Sequence, residues 1–471
     1  VLIGACLIGL CIFGIRGRTG YNPIKVSAAY FCQDAFLNQL GVSPTFNLLT
    51  SVMDDMRPEN KYLHLMDEQE AITKAQALLN RPGDANVSPL AVYRRAAKAD
   101  SVQQRRPNVV LIMMESMSAK FMKHFGQSET LTPFLDSLYT RSISFRNFYS
   151  AGIHTNHGLY ATLYSFPAMM KRNLMKGSVI PRYSGLPTVL KENGYYNLFF
   201  MTHEGQYDNM NAFFRTNGYD EVFSQEDYPA DKVVNSFGVQ DDFLYDYAIP
   251  VLNQRAATGQ PFFATLLSIS NHPPYVIPPF FHPKTSEPET QIVEYADWAL
   301  RQFFEEARKQ PWFDNTIFVL EGDHGKLVGD AECELPESYN HIPLMIYSNR
   351  IQPEEKTAFG GQVDIQPTIL GLLNIDYLQN NFGVDLLKEE RPCMFYTADN
   401  MVVGRNDTLL YLYNYETQQE LTYDIGNGKL NAVPMDDSFL PLKEYSFSML
   451  QSAEFLVKHG KTLNSIPFTQ Q

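Results

Sequence analysis

The residues best suited to chemistry in this 471-residue chain are one threonine flanked by histidines and a few carboxylates and imidazoles that close apolar runs. In "GIHTNHGLYATLYSFP", residues 152–167, Thr155 stands between His154 and His157 where a helix is expected to begin. Ser and Thr commonly cap helices, so one expectation is that Thr155 caps this one. The position also suits an activated hydroxyl nucleophile, because a helix N-terminus attracts an anion. Glu115-Ser116 closes "NVVLIMME", His203 closes "YYNLFFMTH", Asn271-His272 follows "PFFATLLSIS", and Asp323-His324-Gly325 closes "NTIFVLEGDHG". Carboxylates from Glu115 and Asp323, the His324 imidazole and the Thr155 hydroxyl would make a three-oxygen, one-nitrogen ligand set. That set suits Mn²⁺ or Zn²⁺, with Mg²⁺ a further alternative. A divalent cation lowers the pKa of a bound oxygen, so a poor hydroxyl nucleophile becomes an alkoxide near neutral pH. His203 and His272 are expected to hydrogen-bond phosphoryl oxygens or protonate the leaving oxygen. The chemistry these residues anticipate is displacement at a phosphoester.

Such residues act together only if one scaffold carries them to one edge. The runs that they close are short and continuously apolar, the mark of strands buried on both faces. "IPLMIYS" is another such run. Between them, "TPFLDSLYTR", "GLPTVLKENG" and "EYADWALRQFFEEARKQP" have helical spacing. The expected fold is α/β, with a mostly parallel central sheet and helices on both faces, over residues 105–395. Ligands of such sheets bind beyond the carboxyl ends of the strands, where these residues lie. Residues 396–471, rich in Tyr and Thr with turn signals at Asn406-Asp407 and Gly426-Asn427-Gly428, are expected to form a small antiparallel sheet and a terminal helix.

Residues 16–104 read as a helical arm and linker. "PTFNLLTSVMDDM", "DEQEAITKAQALLN" and "PLAVYRRAAKAD" have helix-like apolar spacing, and "DSVQQRRPN" leads into the next domain. Residues 1–15, "VLIGACLIGLCIFGI", carry no charge and precede Arg16 and Arg18. A bilayer needs about 20 apolar residues, so this stretch is expected to be the end of a truncated transmembrane helix.

Hydrophobic residues at 44% and aromatics at 13% allow a large core and exclude global disorder. A net charge of −14 with no basic run argues against nucleic acid as a partner. Five scattered cysteines give neither a disulfide framework nor a CxxC metal knuckle.

Taken in order, "NVVLIMMES", the Thr155 segment, "LLSISNHPPY", "TIFVLEGDHG", "YNHIPLMIYS" and "VDIQPTILGLL" resemble the alkaline phosphatase/sulfatase superfamily. Within it they look most like the lipoteichoic acid synthase and phosphoglycerol transferase branch, over about residues 105–395. The resemblance implies Glu115, Thr155, Asp323 and His324 as metal ligands, with Thr155 also the nucleophile that accepts a phosphoglycerol group. It implies substrate contacts at His203 and His272, and at His154, which stands where those synthases tend to carry Lys. His157 and Asn156 would support these groups or contact substrate. The implied partners are a phospholipid donor and a polymer, glycan or lipid acceptor. The implied location is the outer side of a bacterial cell membrane, anchored by N-terminal helices. After His203 the synthases carry a Trp and an Arg, whereas this chain reads "EGQYDNMNAFF", which leaves the transferred group and the acceptor open. A sulfatase proper would need a C/S-x-P-x-R string, which does not occur. The alternatives are a phosphoethanolamine transferase, a phosphodiesterase or phosphatase of the same superfamily, and a non-catalytic membrane-tethered binding protein.

Overall fold

In the computed structural model of the protein, the run at 108–114 is a strand buried at every position. Its side chains alternate between two cores, with Val109, Leu111 and Met113 in one and Val110, Ile112 and Met114 in the other. A strand with no solvent face belongs in the middle of a sheet covered on both sides. The structure describes residues 2–18, 23–32, 35–57, 60–94, 106–177, 180–426 and 428–463.

In chain order the arm contains α1 (Leu2–Arg16), α2 (Ala35–Leu40), α3 (Pro44–Asp55), α4 (Glu68–Leu79) and β1 (Val92–Arg94). The body follows with β2 (Asn108–Met114), α5 (Pro133–Tyr139), β3 (Ile143–Tyr149), α6 (Thr155–Tyr164), α7 (Leu186–Glu192) and β4 (Tyr196–Met201). Next come α8 (Met210–Thr216), β5 (Glu221–Phe223), β6 (Val233–Asn235), β7 (Gly238–Val239), α9 (Asp241–Ala256), β8 (Phe262–Leu267) and α10 (Pro288–Ala307). Then β9 (Thr316–Gly322), β10 (Leu344–Tyr347), β11 (Glu354–Gly361), α11 (Ile365–Leu372) and β12 (Tyr377–Gln379) complete the body. The C-terminal part holds β13 (Met394–Thr397), β14 (Met401–Arg405), β15 (Leu409–Asn414), β16 (Gln419–Gly426), β17 (Lys429–Ala432) and α12 (Leu440–Lys458).

The central sheet has eight strands in the order β11-β3-β10-β9-β2-β8-β4-β5. Neighbours run parallel throughout except β10, which is antiparallel to both β9 and β3. At the centre of the sheet, Val110 lies opposite Ala264 of β8 and Phe318 of β9. Because β2, β4, β8 and β9 are parallel, the chain leaves all four at one edge, and Glu115, His203, His272 and Asp323 follow those exits. One face is covered by α6, α7, α8, α11 and α12, and the other by α5, α9 and α10. The expected α/β architecture is therefore present, and so are the small antiparallel sheet, β13 to β17, and its terminal helix.

The arm is fastened to the body. Ile72, Ala75 and Leu79 of α4 enter the same core as Leu442, Leu450 and Leu456 of α12. The backbone amides of Leu63 and Leu65 donate to Glu454 Oε2 at 3.0 Å and Gln451 Oε1 at 2.7 Å. The helix expected in "PLAVYRRAAKAD" is not found over its described part: Val92–Arg94 is a strand paired antiparallel with Tyr377–Gln379. Val92 and Tyr93 favour an extended chain, and β12 offers a backbone edge, so pairing overrides the local helical spacing. Residues 95–105, which include most of the expected linker, lie outside the described residues. Residues 2–15 of α1 are exposed. Among the described residues no helix is long and apolar enough to cross a membrane.

Candidate active site

Glu115 and Ser116 leave β2 under tight control. The Glu115 amide donates to Ser268 Oγ at 3.0 Å, and the Ser116 amide donates to Asp323 Oδ1 at 2.7 Å. Ser116 Oγ donates to Glu115 Oε1 at 2.7 Å. Ser116 has φ +50°, a left-handed conformation that a non-glycine residue holds only when its surroundings over-determine it. Asn271 supplies part of that constraint, since its Nδ2 donates to the carbonyls of Glu115 and Ser116, both at 3.1 Å. Lys326 Nζ in turn donates to Asn271 Oδ1 at 2.5 Å.

Asp323 arrives from β9, its amide donating to the Met114 carbonyl at 3.0 Å. Its Oδ1 accepts from the His324 amide at 2.7 Å, while its buried Oδ2 has no hydrogen-bond partner among the described residues. His324 Nδ1 lies 2.8 Å from the Gly325 carbonyl, so that nitrogen carries the proton and Nε2 faces the carboxylates. Nε2 is 3.6 Å from Asp323 Oδ2 and 3.9 Å from Glu115 Oε1. Burial first, and the Asp323 carboxylate second, push the Glu115 carboxyl well above the usual carboxylate range. Two carboxylates sealed together call for a cation between them.

Among the described residues, Glu115, Asp323 and His324 form one group whose ligand atoms all lie within 4.8 Å of one another. Thr155 completes the convergence, its Oγ1 donating to Glu115 Oε2 at 3.4 Å. The orphaned Asp323 Oδ2, the crowded carboxylates and the Nε2 lone pair fit a divalent cation. Asp364, a further carboxylate in the neighbourhood, is bound instead by Arg391 at 2.8 and 3.0 Å.

The expectation that Thr155 caps its helix is corrected. His154 occupies the cap position of α6 without a side-chain cap hydrogen bond, and Thr155 is the first helical residue. Its hydroxyl is thus committed to Glu115 rather than to the helix backbone. The start of α6 is seated by Gln362, a fully buried residue. Its Oε1 accepts from the Ala151 amide at 2.9 Å, and its Nε2 donates to the Gly322 and Asp323 carbonyls at 3.1 and 2.8 Å. Gly158 permits the close approach: a Cβ there would stand 2.3 Å from the Asp323 carbonyl oxygen.

The remaining histidines take different places. His203 is buried, its ring centroid 4.5 Å from that of Tyr207, and burial lowers its pKa to about 4. His272 is half-buried with its ring 4.0 Å from Phe237, and burial lowers its pKa as well. His154 is exposed and its Nε2 lies 2.7 Å from Asp399 Oδ1, on the turn between β13 and β14. His157 is fully buried, with burial lowering its pKa to about 3, and neither ring nitrogen has a partner among the described residues. It packs behind the helix start, out of reach of solvent. Asn156 Nδ2 donates to Asp208 Oδ2 at 3.4 Å. His341, at the end of "YNH", stacks on Tyr149 at 5.1 Å and holds the Arg146 carbonyl at 2.8 Å, away from this group. Ser116, Asn271, Gln362 and Lys326 escaped the sequence reading as site residues. The only local signal was their closeness in sequence to Glu115, His272, "VDIQP" and Asp323.

A parallel sheet edge bearing two carboxylates, an imidazole and a helix-start threonine defines the class as α/β proteins of the alkaline phosphatase-like kind. The chain belongs to the sulfatase family, whose model matches residues 107–375, more than half of its length. It is 24% identical to lipoteichoic acid synthase 2 of Bacillus subtilis over 60% of this chain and 47% of that protein. It is also 24% identical to the lipoteichoic acid synthase of Staphylococcus saprophyticus, over 70% of this chain and 54% of that protein. The chain thus spans about half the length of the curated relatives it matches. Among solved structures it is similar to a Vibrio parahaemolyticus protein in the alkaline phosphatase superfamily. That match has a TM-score of 0.76 and 26% identity, covering 85% of this chain and 98% of the other. The fold of the lipoteichoic acid synthase LtaP from Listeria monocytogenes matches with a TM-score of 0.64 at 21% identity, over 75% and 92% of the two chains.

Proposed function

We propose that the protein is a metal-dependent phosphotransferase that moves a phosphoglycerol group from a phospholipid to an acceptor hydroxyl through a covalent Thr155 intermediate. The observation that carries this reading is the convergence of Glu115, Asp323, His324 and the Thr155 hydroxyl at one sheet edge, in a chain similar to lipoteichoic acid synthases. Glu115, Asp323, His324 and Thr155 would hold the cation, Mn²⁺ by preference with Zn²⁺ or Mg²⁺ as alternatives. When bound, it would supply positive charge that favours the ionised threonine and the pentavalent phosphoryl group.

The chain's own residues do the rest. Thr155 Oγ1 gives up its proton, for which Glu115 Oε2 is the acceptor in reach, and attacks phosphorus. The bond from phosphorus to the lipid alcohol breaks, and His272, entering the step in its imidazolium form, is the group proposed to protonate the departing oxygen. The His157 and Gly158 amides donate to the His154 carbonyl, which leaves the Thr155 and Asn156 amides at the start of α6 to stabilise the phosphoryl oxygens. His203, neutral because burial holds its pKa near 4, is a hydrogen-bonding partner rather than a cation at neutral pH. An acceptor hydroxyl then attacks the phospho-threonine, its proton passing to the His272 ring that lost one in the first step, while the bond from phosphorus to Thr155 Oγ1 breaks and Glu115 returns its proton to that oxygen.

The exposed apolar surface of α1 supports a membrane anchor, with the domain at 105–395 acting beside a lipid surface and the acceptor being a polymer, glycan or lipid. The test is release of diacylglycerol from labelled phosphatidylglycerol in vesicles with and without Mn²⁺. Release that needs the metal and fails in Asp323→Ala supports the reading, whereas metal-independent release, or none at all, overturns it.

A further inference from the structure

The two substrate-contact candidates outside the metal group, His203 and His272, are joined by a row of rings. Tyr207 lies 4.5 Å from His203, Phe237 lies 6.2 Å from Tyr207, and His272 lies 4.0 Å from Phe237, centroid to centroid. Tyr207 sits in the loop after β4, four residues beyond His203. That loop is held from two sides. Asn156, the neighbour of Thr155, donates to Asp208 Oδ2 at 3.4 Å. From the arm, Ser27 Oγ donates to Asn209 Oδ1 at 2.9 Å and the Lys25 amide donates to Gln206 Oε1 at 3.2 Å.

Asp208 and Asn209 are consecutive non-glycine residues with φ +47° and +67°, a costly pair that persists because both sides clamp it. The clamped turn presents Tyr207 beside the start of α6. The Tyr207 ring is partly buried against His203, yet its hydroxyl makes no hydrogen bond to a described residue. Burial first, then Asp208 and Glu115, raise its pKa to about 12, so the phenol remains a donor at neutral pH.

We propose that Tyr207 is a specificity-determining contact for the glycerol part of the transferred group, its hydroxyl pairing with a glycerol hydroxyl while Phe237 covers the carbon backbone. The inference rests on the phosphoglycerol reading above. A bare phosphate needs neither contact, because histidines and helix amides already address its oxygens. A small polyol needs both, since it carries hydroxyls that must be paired and C–H faces that pack on aromatic rings. An ammonium-bearing head group would use the rings alone, and replacing Tyr by Phe would leave it held.

The experiment is calorimetric binding of glycerol phosphate, phosphoethanolamine and inorganic phosphate to the Mn²⁺-loaded protein, in wild type, Tyr207→Phe and Phe237→Leu. Diacylglycerol release from phosphatidylglycerol is followed in parallel. Tyr207→Phe is expected to weaken glycerol phosphate by roughly five- to tenfold, with inorganic phosphate and phosphoethanolamine within about twofold of wild type. Phe237→Leu is expected to weaken glycerol phosphate by roughly threefold. Equal loss for glycerol phosphate and inorganic phosphate in Tyr207→Phe, or no loss for either, overturns the assignment even where wild type and Tyr207→Phe still release diacylglycerol. A wild type that binds phosphate yet neither binds glycerol phosphate nor releases diacylglycerol overturns the phosphoglycerol reading, and this assignment with it.

Discussion

Replacing Gly158 by alanine strikes the site without replacing any side chain that would bind metal or substrate. An alanine Cβ at this helical position would stand 2.3 Å from the Asp323 carbonyl oxygen and 2.9 Å from Gln362 Nε2. Ordinary van der Waals contact begins near 3.4 Å, so the helix start and the Asp323 loop must part by about 1 Å. Neither side can yield cheaply. The Asp323 loop is tied through its amide to Met114 and through its carbonyl to Gln362, and the loop before α6 is tied to Gln362 through Ala151. Alanine contributes about 1 kcal/mol of helix propensity over glycine. Overpacking at a rigid contact costs about 1–3 kcal/mol, so the net effect on stability lies between about zero and a loss of about 2 kcal/mol. The functional effect is larger, because a displacement of about 1 Å between the Thr155 hydroxyl and the Asp323 and His324 side chains lowers turnover by about 10²-fold. Thermal unfolding of Gly158→Ala measures the first effect, and diacylglycerol release at saturating Mn²⁺, with a Mn²⁺ titration beside it, measures the second. A variant with wild-type turnover and wild-type Mn²⁺ affinity would refute the reasoning, since the close approach of α6 to the Asp323 loop would then be dispensable.

Asn271→Ala removes the donor that fixes the Glu115 and Ser116 carbonyls, and Mn²⁺ affinity is expected to fall by about 10- to 100-fold while the fold survives, as calorimetry would show. Asp297 accepts from the Phe134 and Leu135 amides at 2.9 and 2.8 Å, yet burial raises its pKa to about 7. A folded-state pKa above the unfolded one means that ionising this group opposes folding. The penalty is absent below about pH 4, grows up to about pH 7 and reaches at most on the order of 4 kcal/mol. Asp297→Asn, which gives up one acceptor, is expected to be less stable than wild type at about pH 5 and to close that gap at about pH 8, as thermal unfolding at the two pH values would show. Ser27→Ala frees Asn209 from the arm and is expected to raise KM for phosphatidylglycerol by roughly threefold with kcat little changed; an unaltered KM would show that the arm does not set the Tyr207 loop.

The central strands were legible because burial on both faces turns β2, β4, β8 and β9 into unbroken apolar runs that polar loops cannot imitate. The direction of β10 was not, since Leu344–Tyr347 reads the same whether it runs with or against β9, and pairing alone decides. The edge strand β11 turns polar at its start, its neighbour β3 carries Ser144, Arg146 and Asn147 among apolar residues, and both were missed. Val92–Arg94 reads locally as helix and is drawn into a strand by β12, far away in sequence. Glu115, Asp323 and His324 could be picked out because the carboxyl ends of parallel strands share one edge. Asn271 and Gln362 could not, because their partners lie in other segments of the chain and no local spacing records such pairs. The role of Thr155 as first helical residue rather than cap was equally hidden, since the two positions differ by one residue and either accepts Thr.

The most direct test of the account is the intact mass of the protein after incubation with phosphatidylglycerol and Mn²⁺, for wild type and Thr155→Ala. The expected result is a glycerophosphoryl adduct on wild type, mapped to the peptide containing Thr155, and none on Thr155→Ala, which also releases no diacylglycerol. An adduct of equal yield on Thr155→Ala, or full diacylglycerol release by that variant, would contradict a covalent route through Thr155.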